Sequence, residues 1–384
     1  MGLGLPVQIG DQELVASASA DCTVRLWPLR AGRLAAEAIL RHADQVTSVA
    51  WDAATGTLAT SCLDNTCRLW QKSSTAWRCC AELKSASGRF TCMCFPPADP
   101  HLVTGSAAGA LQKWSISSGA LSVGVQGHGG SITDIALYPT KDMMATSSAS
   151  TYGREPPLQS KALTGAEEAA WLRAWHAGDG SCKLWDARTL ACLHALAGES
   201  GGATSCHLDL TGPAESPDLL KTVLITAHLE PMRREARLLL WDVDGSGREG
   251  WVDGRLCAQY ASIDDFRGTI KCIPMRSNWG LHAIASSAGT ELHVLDLEEA
   301  CCIFRLEDVP SDIVSVAPDG RHVACAGKDS NQIGIYGLER DSMLLSFKYT
   351  LSSGDDAVRC LAWSRSSEWL VSGGAGTTCR VWQV

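Results

Sequence analysis

The sequence predicts an all-β protein assembled from repeated small sheets. Short runs that end in a tryptophan recur about every 43 residues, and the clearest unit spans residues 41–71. Within each run apolar and polar side chains alternate between turn residues, which is the pattern of half-buried strands. A fixed period of this length indicates that each unit is one small sheet that buries its faces only against its neighbours. We therefore expect one repeat-built domain over residues 1–384.

Eight repeat endings are present, and this number predicts eight small sheets, with seven as the alternative. The endings close on Trp27, Trp70, Trp114, Trp185, Trp241, Leu295, Tyr336 and Trp382. The repeats span approximately residues 1–30, 31–72, 73–116, 117–190, 191–244, 245–298, 299–338 and 339–384.

The composition narrows the class of protein. The chain has a net charge of -9, which gives no overall field to attract nucleic acid. No run of about 18 apolar residues occurs, so we expect no membrane insertion. The 17 cysteines are scattered through strand-like runs. This usage is typical of reduced thiols, so we expect an intracellular protein of the cytoplasm or nucleus.

Sequence motifs for catalysis and for metal binding are missing. The chain has no phosphate-binding glycine loop, no nucleophile elbow and no zinc-protease motif, and its cysteines and histidines do not follow zinc spacing. We therefore expect no catalytic residues, no cofactor and no metal, with an enzyme as the least favoured class.

With these units the sequence resembles the WD-repeat family of β-propellers over essentially the whole chain. In that family a histidine, a strand hydroxyl, a turn aspartate and a tryptophan form a hydrogen-bonded tetrad. The resemblance implies that the aspartate holds the histidine and that the hydroxyl receives the indole N–H. A buried polar chain of this kind is favourable only when each member has a partner, so we interpret these residues as structural. The two tetrads are His42, Thr60, Asp64 and Trp70 in the second unit, and His128, Thr146, Asp179 and Trp185 in the fourth.

The fourth unit carries an insertion over residues 150–178, which the resemblance places on the top face of a propeller. Its second half predicts a short helix, because Thr164 and Glu167 form a capping box before a run of helix-forming residues. Trp171, Leu172 and Trp175 lie together on this helix. They either pack on the propeller itself or bind a partner protein.

The fifth unit is enlarged at the same hairpin, where Arg233, Arg234 and Arg237 occur together. Three arginines can receive an acidic peptide or a phosphate group through bidentate hydrogen bonds. The alternative is a solvated turn in which they pair with Glu230 and Glu235.

A short motif follows the fourth repeat ending. Trp185, Asp186 and Arg188 match the W-D-x-R signature of WD-repeat substrate receptors of cullin-RING ubiquitin ligases. The resemblance implies that Arg188 docks the bottom face of the propeller on the ligase adaptor.

Closure of the ring has three possible forms. The segment Leu3 to Ile9 supplies the outer strand of the last blade, or one blade stays three-stranded with an open edge, or the chain is a fragment of a longer protein. An open edge is a template for strand addition by a partner.

These observations favour a non-catalytic scaffold or adaptor that binds other proteins or peptides within a larger assembly. The alternative is a substrate receptor of a cullin-RING ligase. In either case we expect a subunit of a hetero-complex and no direct binding of nucleic acid.

Overall fold

The computed structural model describes most strands of the repeats and many of the turns that join them. The described residues are 2–3, 7–9, 12–28, 36–73, 76–97, 99–137, 143–148, 181–196, 202–211, 221–230, 235–242, 255–263, 272–277, 280–287, 291–296, 301–327, 329–339, 344–354, 356–364, 366–374 and 379–384.

All regular structure in these residues is β-strand, arranged as eight antiparallel sheets that we number in chain order. Sheet 1 contains β1 (Gly2–Leu3), β2 (Val7–Ile9), β3 (Gln12–Ala18), β4 (Thr23–Pro28) and β5 (Ala38–Arg41). Sheet 2 contains β6 (Val46–Asp52), β7 (Thr57–Cys62), β8 (Thr66–Lys72) and β9 (Trp77–Lys84). Sheet 3 contains β10 (Phe90–Cys94), β11 (His101–Ser106), β12 (Ala110–Ser115) and β13 (Leu121–Gln126). Sheet 4 contains β14 (Ile132–Leu137), β15 (Met143–Ser148), β16 (Cys182–Asp186) and β17 (Cys192–Leu196).

The second half of the chain repeats this order. Sheet 5 contains β18 (Gly202–Thr211), β19 (Lys221–Glu230), β20 (Glu235–Asp242) and β21 (Arg255–Ile263). Sheet 6 contains β22 (Cys272–Ser277), β23 (Gly280–Ser287), β24 (Glu291–Asp296) and β25 (Cys301–Leu306). Sheet 7 contains β26 (Ile313–Val316), β27 (His322–Ala326), β28 (Gln332–Leu338) and β29 (Leu345–Ser352). Sheet 8 contains β30 (Val358–Trp363), β31 (Trp369–Gly374) and β32 (Cys379–Gln383).

The sheets meet through their first strands in a closed circle. From sheet 1 onwards, each of β1, β6, β10, β14, β18, β22 and β26 contacts the first strand of the next sheet, and β30 contacts β1 again. The all-β prediction is confirmed, and the number of blades, eight with seven as the alternative, stays a prediction. The predicted helix within 150–178 lies outside the described residues.

One of the three possible forms of ring closure, in which Leu3 to Ile9 supplies the outer strand of the last blade, is wrong. Leu3 pairs with Ser17 and Val7 pairs with Leu14, so both segments belong to sheet 1. Only two residues separate Ile9 from its partner Gln12, and strands joined so closely pair as a hairpin. In the described part of the chain sheet 8 has three strands.

The hydrophobic core lies between adjacent sheets. Leu69 and Leu83 of sheet 2 pack with Phe90 and Leu102 of sheet 3, and all four are nearly inaccessible to solvent. Adjacent sheets such as these therefore bury apolar faces against each other, which a single four-stranded unit could not do alone.

One hydrogen bond recurs inside the sheets. The indole N–H of Trp70 donates to Thr60 Oγ1 at 2.9 Å, and that of Trp185 donates to Thr146 Oγ1 at 2.7 Å. Both side chains lie on the same face of the sheet, because Trp70 lies two residues beyond Arg68, the partner of Thr60 in the strand register. The same bond is made in three further sheets, by Trp27 to Ser17, by Trp114 to Thr104 and by Trp382 to Ser372.

The two histidines extend this bond. His42 Nε2 and Thr60 Oγ1 share a hydrogen bond of 2.8 Å, and His128 Nε2 and Thr146 Oγ1 share one of 2.6 Å. His128 Nδ1 also lies 3.3 Å from Ser181 Oγ. Asp179, the fourth member expected there, lies outside the described residues.

Asp64 does not hold His42 as expected. Its carboxylate accepts hydrogen bonds from the N–H and hydroxyl of Thr66 and from the guanidinium of Arg68, and His42 Nδ1 is buried without a hydrogen-bond partner. Thr66 and Arg68, which follow the tight turn, therefore supply the hydrogen bonds that the Asp64 carboxylate accepts. Burial and the nearby charge of Arg68 lower the pKa of His42 from its ordinary value of 6.5.

We predict that Thr60→Val lowers the free energy of unfolding by about 1–3 kcal/mol, because it leaves the buried Trp70 N–H and His42 Nε2 without their shared partner. Chemical denaturation would measure this loss. Thr350→Val is the matched control, since Thr350 is exposed on β29 and the same change there should alter stability by less than about 0.5 kcal/mol. Equal effects at the two positions would contradict the role of Thr60.

We also predict that His42 makes stability fall in mild acid. Its pKa is lower in the folded protein than in the unfolded chain, so below pH 6.5 the unfolded chain binds the proton more readily. The stabilisation is complete above 6.5 and is lost as the pH falls towards the folded pKa. Denaturation of wild type and His42→Gln between about pH 7 and pH 5 should give a shallower pH dependence for the variant. Parallel curves would refute this assignment.

Candidate interaction surface

The polar residues that resemble catalytic groups are used inside the sheets. Thr60, Thr146 and His128 are at most 2% exposed, and their side-chain atoms bond to one another or to the tryptophans. They hold the strands together, so a site for other molecules has to be sought in the turns and on the outer strands.

The turn that follows β16 carries the W-D-x-R motif and has a fixed backbone. Asp186 Oδ1 accepts hydrogen bonds from the N–H of Arg188 at 2.9 Å and of Thr189 at 2.8 Å. Leu190 closes the turn with a positive φ of 56° and donates its N–H to the carbonyl oxygen of Asp186. The side chains of Ala187 and Leu190 are buried, while Arg188 is exposed. The turn thus presents Arg188 from an ordered base.

A lysine of the preceding sheet fixes the same turn. Lys113 on β12 is only 4% exposed, and its ammonium donates to the carbonyl oxygens of Ala187 at 3.2 Å and Arg188 at 2.7 Å. It also pairs with Asp99 Oδ2 at 2.6 Å. A buried ammonium is tolerated only when its N–H groups have hydrogen-bond acceptors. The acceptors of Lys113 lie in both sheets, so its hydrogen bonds join sheet 3 to sheet 4.

Sequence reasoning missed Lys113, although a signal for it exists. It stands immediately before Trp114, where the corresponding residues before the tryptophans of sheets 1, 2 and 4 are leucines. Those leucines, Leu26, Leu69 and Leu184, are at most 1% exposed. A charged residue at a position that is otherwise buried and apolar indicates a specific partner.

Two carboxylates of this region are held in their charged form. Burial acts to raise the pKa of Asp186, but the hydrogen bonds from Thr189 and Arg188 and the charge of Arg188 outweigh it, so the net pKa lies below the ordinary value. Burial likewise opposes ionisation of Asp99, while Lys113 and His101 lower its pKa more strongly. The carboxylates of Asp186 and Asp99 therefore stay ionised at neutral pH.

Most of the other predicted contact residues cannot be placed. Trp171, Leu172, Trp175, Arg233 and Arg234 lie outside the described residues. The backbone of Arg237 is described, and it pairs with His228 on β19. The grouping of these side chains on one sector of the top face stays a prediction.

Several outer strands carry an exposed apolar side chain. Ile39 on β5 is 51% exposed, Leu121 on β13 is 49% exposed, and Phe347 on β29 is 59% exposed. Sequence reasoning did not single out these residues. The outer strands of the sheets therefore offer apolar contacts in addition to the turns.

The described residues contain neither a metal-binding cluster nor a membrane-spanning helix. No group of three or more histidine, cysteine, aspartate or glutamate side chains in that part of the chain could hold a metal ion. No described helix is long and apolar enough to cross a membrane.

Comparison with protein families identifies the repeats. The family model "WD domain, G-beta repeat" matches residues 9–28, 37–71, 77–115 and 345–383. These segments cover strands of the first three and the last two sheets.

Two curated relatives from Arabidopsis thaliana match in sequence. The chain is 28% identical to "Pre-mRNA-processing factor 19 homolog 2" over 264 residues, which cover 66% of this chain and 43% of the relative. It is 29% identical to "Autophagy-related protein 16" over 109 residues, which cover 27% of this chain and 21% of the relative. The chain thus spans less than half the length of these relatives.

Solved structures share the fold. The computationally designed Ika8 protein aligns with a TM-score of 0.68 at 15% identity, and the C-terminal WD40 domain of Sif2 aligns with a TM-score of 0.66 at 14% identity. Each alignment covers 100% of this chain and 96% of the other chain. The chain thus contains WD40 repeats, and its closed circle of sheets has the fold of WD40 propeller domains.

Proposed function

We propose that this chain is a non-catalytic interaction scaffold that binds other proteins or peptides as a subunit of a larger intracellular assembly. One observation carries the proposal. His42, His128 and the strand hydroxyls that they contact form hydrogen bonds within the sheets, whereas Arg188 and Phe347 are exposed on ordered elements. Exposed arginine and aromatic side chains on rigid elements are typical anchors of protein interfaces.

The relatives support the same coarse role. WD40 repeat proteins typically serve as interaction scaffolds, and the matched relatives are named as a pre-mRNA-processing factor and an autophagy-related protein. Neither name specifies a partner for this chain, because fold alone does not determine function.

A second candidate is a substrate receptor of a cullin-RING ubiquitin ligase, with Trp185, Asp186 and Arg188 as the docking motif. The observation that favours it is the fixed turn, in which Asp186 and Lys113 hold the backbone on either side of the exposed Arg188. A side chain on a preorganised base loses little conformational entropy on binding. The predicted top-face residues Trp171, Leu172, Trp175, Arg233, Arg234 and Arg237 would then contact the substrate.

The predicted helix supplies a test of the scaffold function. Trp171→Ala combined with Trp175→Ala should weaken recovery of associated proteins from cells without lowering the melting temperature, because the indoles would be partner anchors. Affinity purification with mass spectrometry and thermal denaturation would measure the two effects. A fall in the melting temperature with unchanged recovery would instead show that the helix packs on the propeller.

The ligase alternative makes a different prediction. Arg188→Ala should abolish co-purification of a cullin adaptor, since the motif loses its bidentate donor. Arg78→Ala is the matched control, because Arg78 is also exposed but lies on β9 of sheet 2. If wild type recovers no adaptor, or if both variants recover it equally, the receptor function is excluded.

A further inference from the structure

The outer strand of sheet 6 carries a thiol beside a histidine and a carboxylate. Cys302 on β25 is exposed, and its Sγ lies 3.9 Å from Nδ1 of His293 on β24. The other ring nitrogen of His293, Nε2, lies 3.2 Å from Glu291 Oε2. The thiol also lies 3.5 Å from the carbonyl oxygen of Phe304. A nucleophile, a base and a group that orients the base, in this order, are the parts of an activated cysteine.

A β-bulge brings the thiol to the histidine. On β24 the register advances two residues from His293 to Leu295, whereas on β25 it runs three residues from Arg305 to Cys302, so Ile303 is the extra residue. In an uninterrupted strand, residues three apart point to opposite faces. The inserted residue therefore returns Cys302 to the face that carries His293 and Arg305.

Arg305 keeps the carboxylate of this group ionised. Its Nη2 lies 2.5 Å from Glu291 Oε1. Burial acts to raise the pKa of Glu291, but the hydrogen bonds and charges of Arg305 and His293 outweigh it, so the net pKa lies below 4.5. The pKa of Arg305 is raised, first by its hydrogen bond to Glu291 and also by the charge of the Cys302 thiolate. The guanidinium therefore lies within electrostatic reach of the sulfur, where a cation favours the thiolate.

The imidazole is neutral and turns its acceptor nitrogen to the thiol. His293 is only 5% exposed, and burial lowers its pKa more than the hydrogen bond and charge of Glu291 raise it, so the net pKa lies below 6.5. The Glu291 carboxylate only accepts hydrogen bonds, so Nε2 carries the ring proton. Nδ1 is then unprotonated at neutral pH and can receive the proton of the Cys302 thiol.

Two other sheets have an exposed cysteine at the same position with a cation in place of the histidine. Cys79 of sheet 2 and Cys192 of sheet 4 are exposed and pair with the tryptophan of the repeat ending, as Cys302 pairs with the repeat ending of sheet 6. Two positions before the ending, these sheets have Arg68 and Lys183. Burial raises the pKa of both thiols despite these charges. A protonated cation cannot accept the thiol proton, so sheet 6 differs from them by a base.

We propose that Cys302 is a site of oxidation by hydroperoxides, with His293 as its base. The thiol proton moves to Nδ1 of His293, and the sulfur attacks one peroxide oxygen, so that an S–O bond forms while the O–O bond breaks. The sulfur loses two electrons to the peroxide, and the leaving oxygen takes the proton from His293 and departs as water or an alcohol. The product is a sulfenic acid on Cys302, which thiols reduce.

The charge of Arg305 favours a hydroperoxide as the reagent. The leaving oxygen gains negative charge as the O–O bond breaks, and a guanidinium beside the sulfur stabilises that charge. A molecule as small as hydrogen peroxide reaches an exposed thiol on an outer strand directly. The reaction modifies the chain itself and is independent of the interaction function proposed above.

The rates of different cysteines within one protein provide the first test. The full chain would carry Cys301→Ser, so that the adjacent thiol cannot capture the sulfenic acid. It would be treated with hydrogen peroxide and dimedone, and mass spectrometry would follow dimedone labelling at Cys302 and at Cys192, which has no cysteine next to it in sequence. We expect Cys302 to be labelled at least about tenfold faster, because a positioned base accelerates proton transfer. Equal rates would overturn the proposal.

Replacement of the base provides the second test. His293→Gln should slow labelling of Cys302 at least about tenfold and leave Cys192 unchanged, since glutamine still donates to Glu291 but is not a base. Thermal denaturation would establish that the variant is folded, and the first test stands without any change at His293. No loss at Cys302, or an equal loss at Cys192, would contradict the role of His293.

Glu291 is a positioning residue, because it acts through His293. Glu291→Gln should slow labelling of Cys302 when His293 is present and should have no further effect when it is combined with His293→Gln. A merely structural role of Glu291 would produce the same loss in both backgrounds.

An alkylating agent separates the reaction with peroxide from a general increase in thiol reactivity. Labelling with iodoacetamide would be measured at Cys302 and Cys192 in the same protein. If Cys302 is faster with iodoacetamide and the two cysteines react equally with peroxide, the assignment to hydroperoxides is wrong. A faster reaction of Cys302 with peroxide that depends on His293 supports it.

Discussion

The hydrogen bond from a tryptophan indole to a strand hydroxyl is the interaction on which the rest of the structure depends. It joins the second and third strands of at least five sheets, with distances between 2.7 and 3.0 Å. A buried indole N–H without a partner costs free energy, so the bond fixes the register in which a large apolar side chain can be buried between sheets. The position of the third strand then determines which turns and which outer edges remain for binding.

Much of this hydrogen-bonding pattern could be predicted, because most of the bonded pairs are close in sequence. Ten residues separate the hydroxyl from the tryptophan in four of the five bonds, so Thr104 and Ser372 could have been found by the same spacing as Thr60. The fourth sheet keeps the bond across 39 residues, and there the histidine and the repeat ending identified Thr146 instead. Local periodicity therefore predicts the fold class and the internal polar bonds.

Features that depend on competition or on distant partners could not be predicted in this way. Lys113 bonds to carbonyl oxygens 74 and 75 residues away, and no local pattern indicates that contact. Asp64 has several donors within reach, and the nearest residues in sequence, Thr66 and Arg68, occupy its carboxylate rather than His42. The first strands form a hairpin with β3 because a two-residue connection favours that pairing over a distant one.

The contact between sheet 8 and sheet 1 has a consequence for the order in which the circle of sheets forms. Among the described residues no strand crosses from one sheet to the other, and the buried side chains of Val15, Trp27 and Val371 form one cluster at this contact. Sheets 1 and 8 contain the first and the last strands of the described chain, so their contact joins residues that are farthest apart in sequence. Closing the circle there has the largest chain-entropy cost of all the contacts between neighbouring sheets, so we expect this contact to form last during folding.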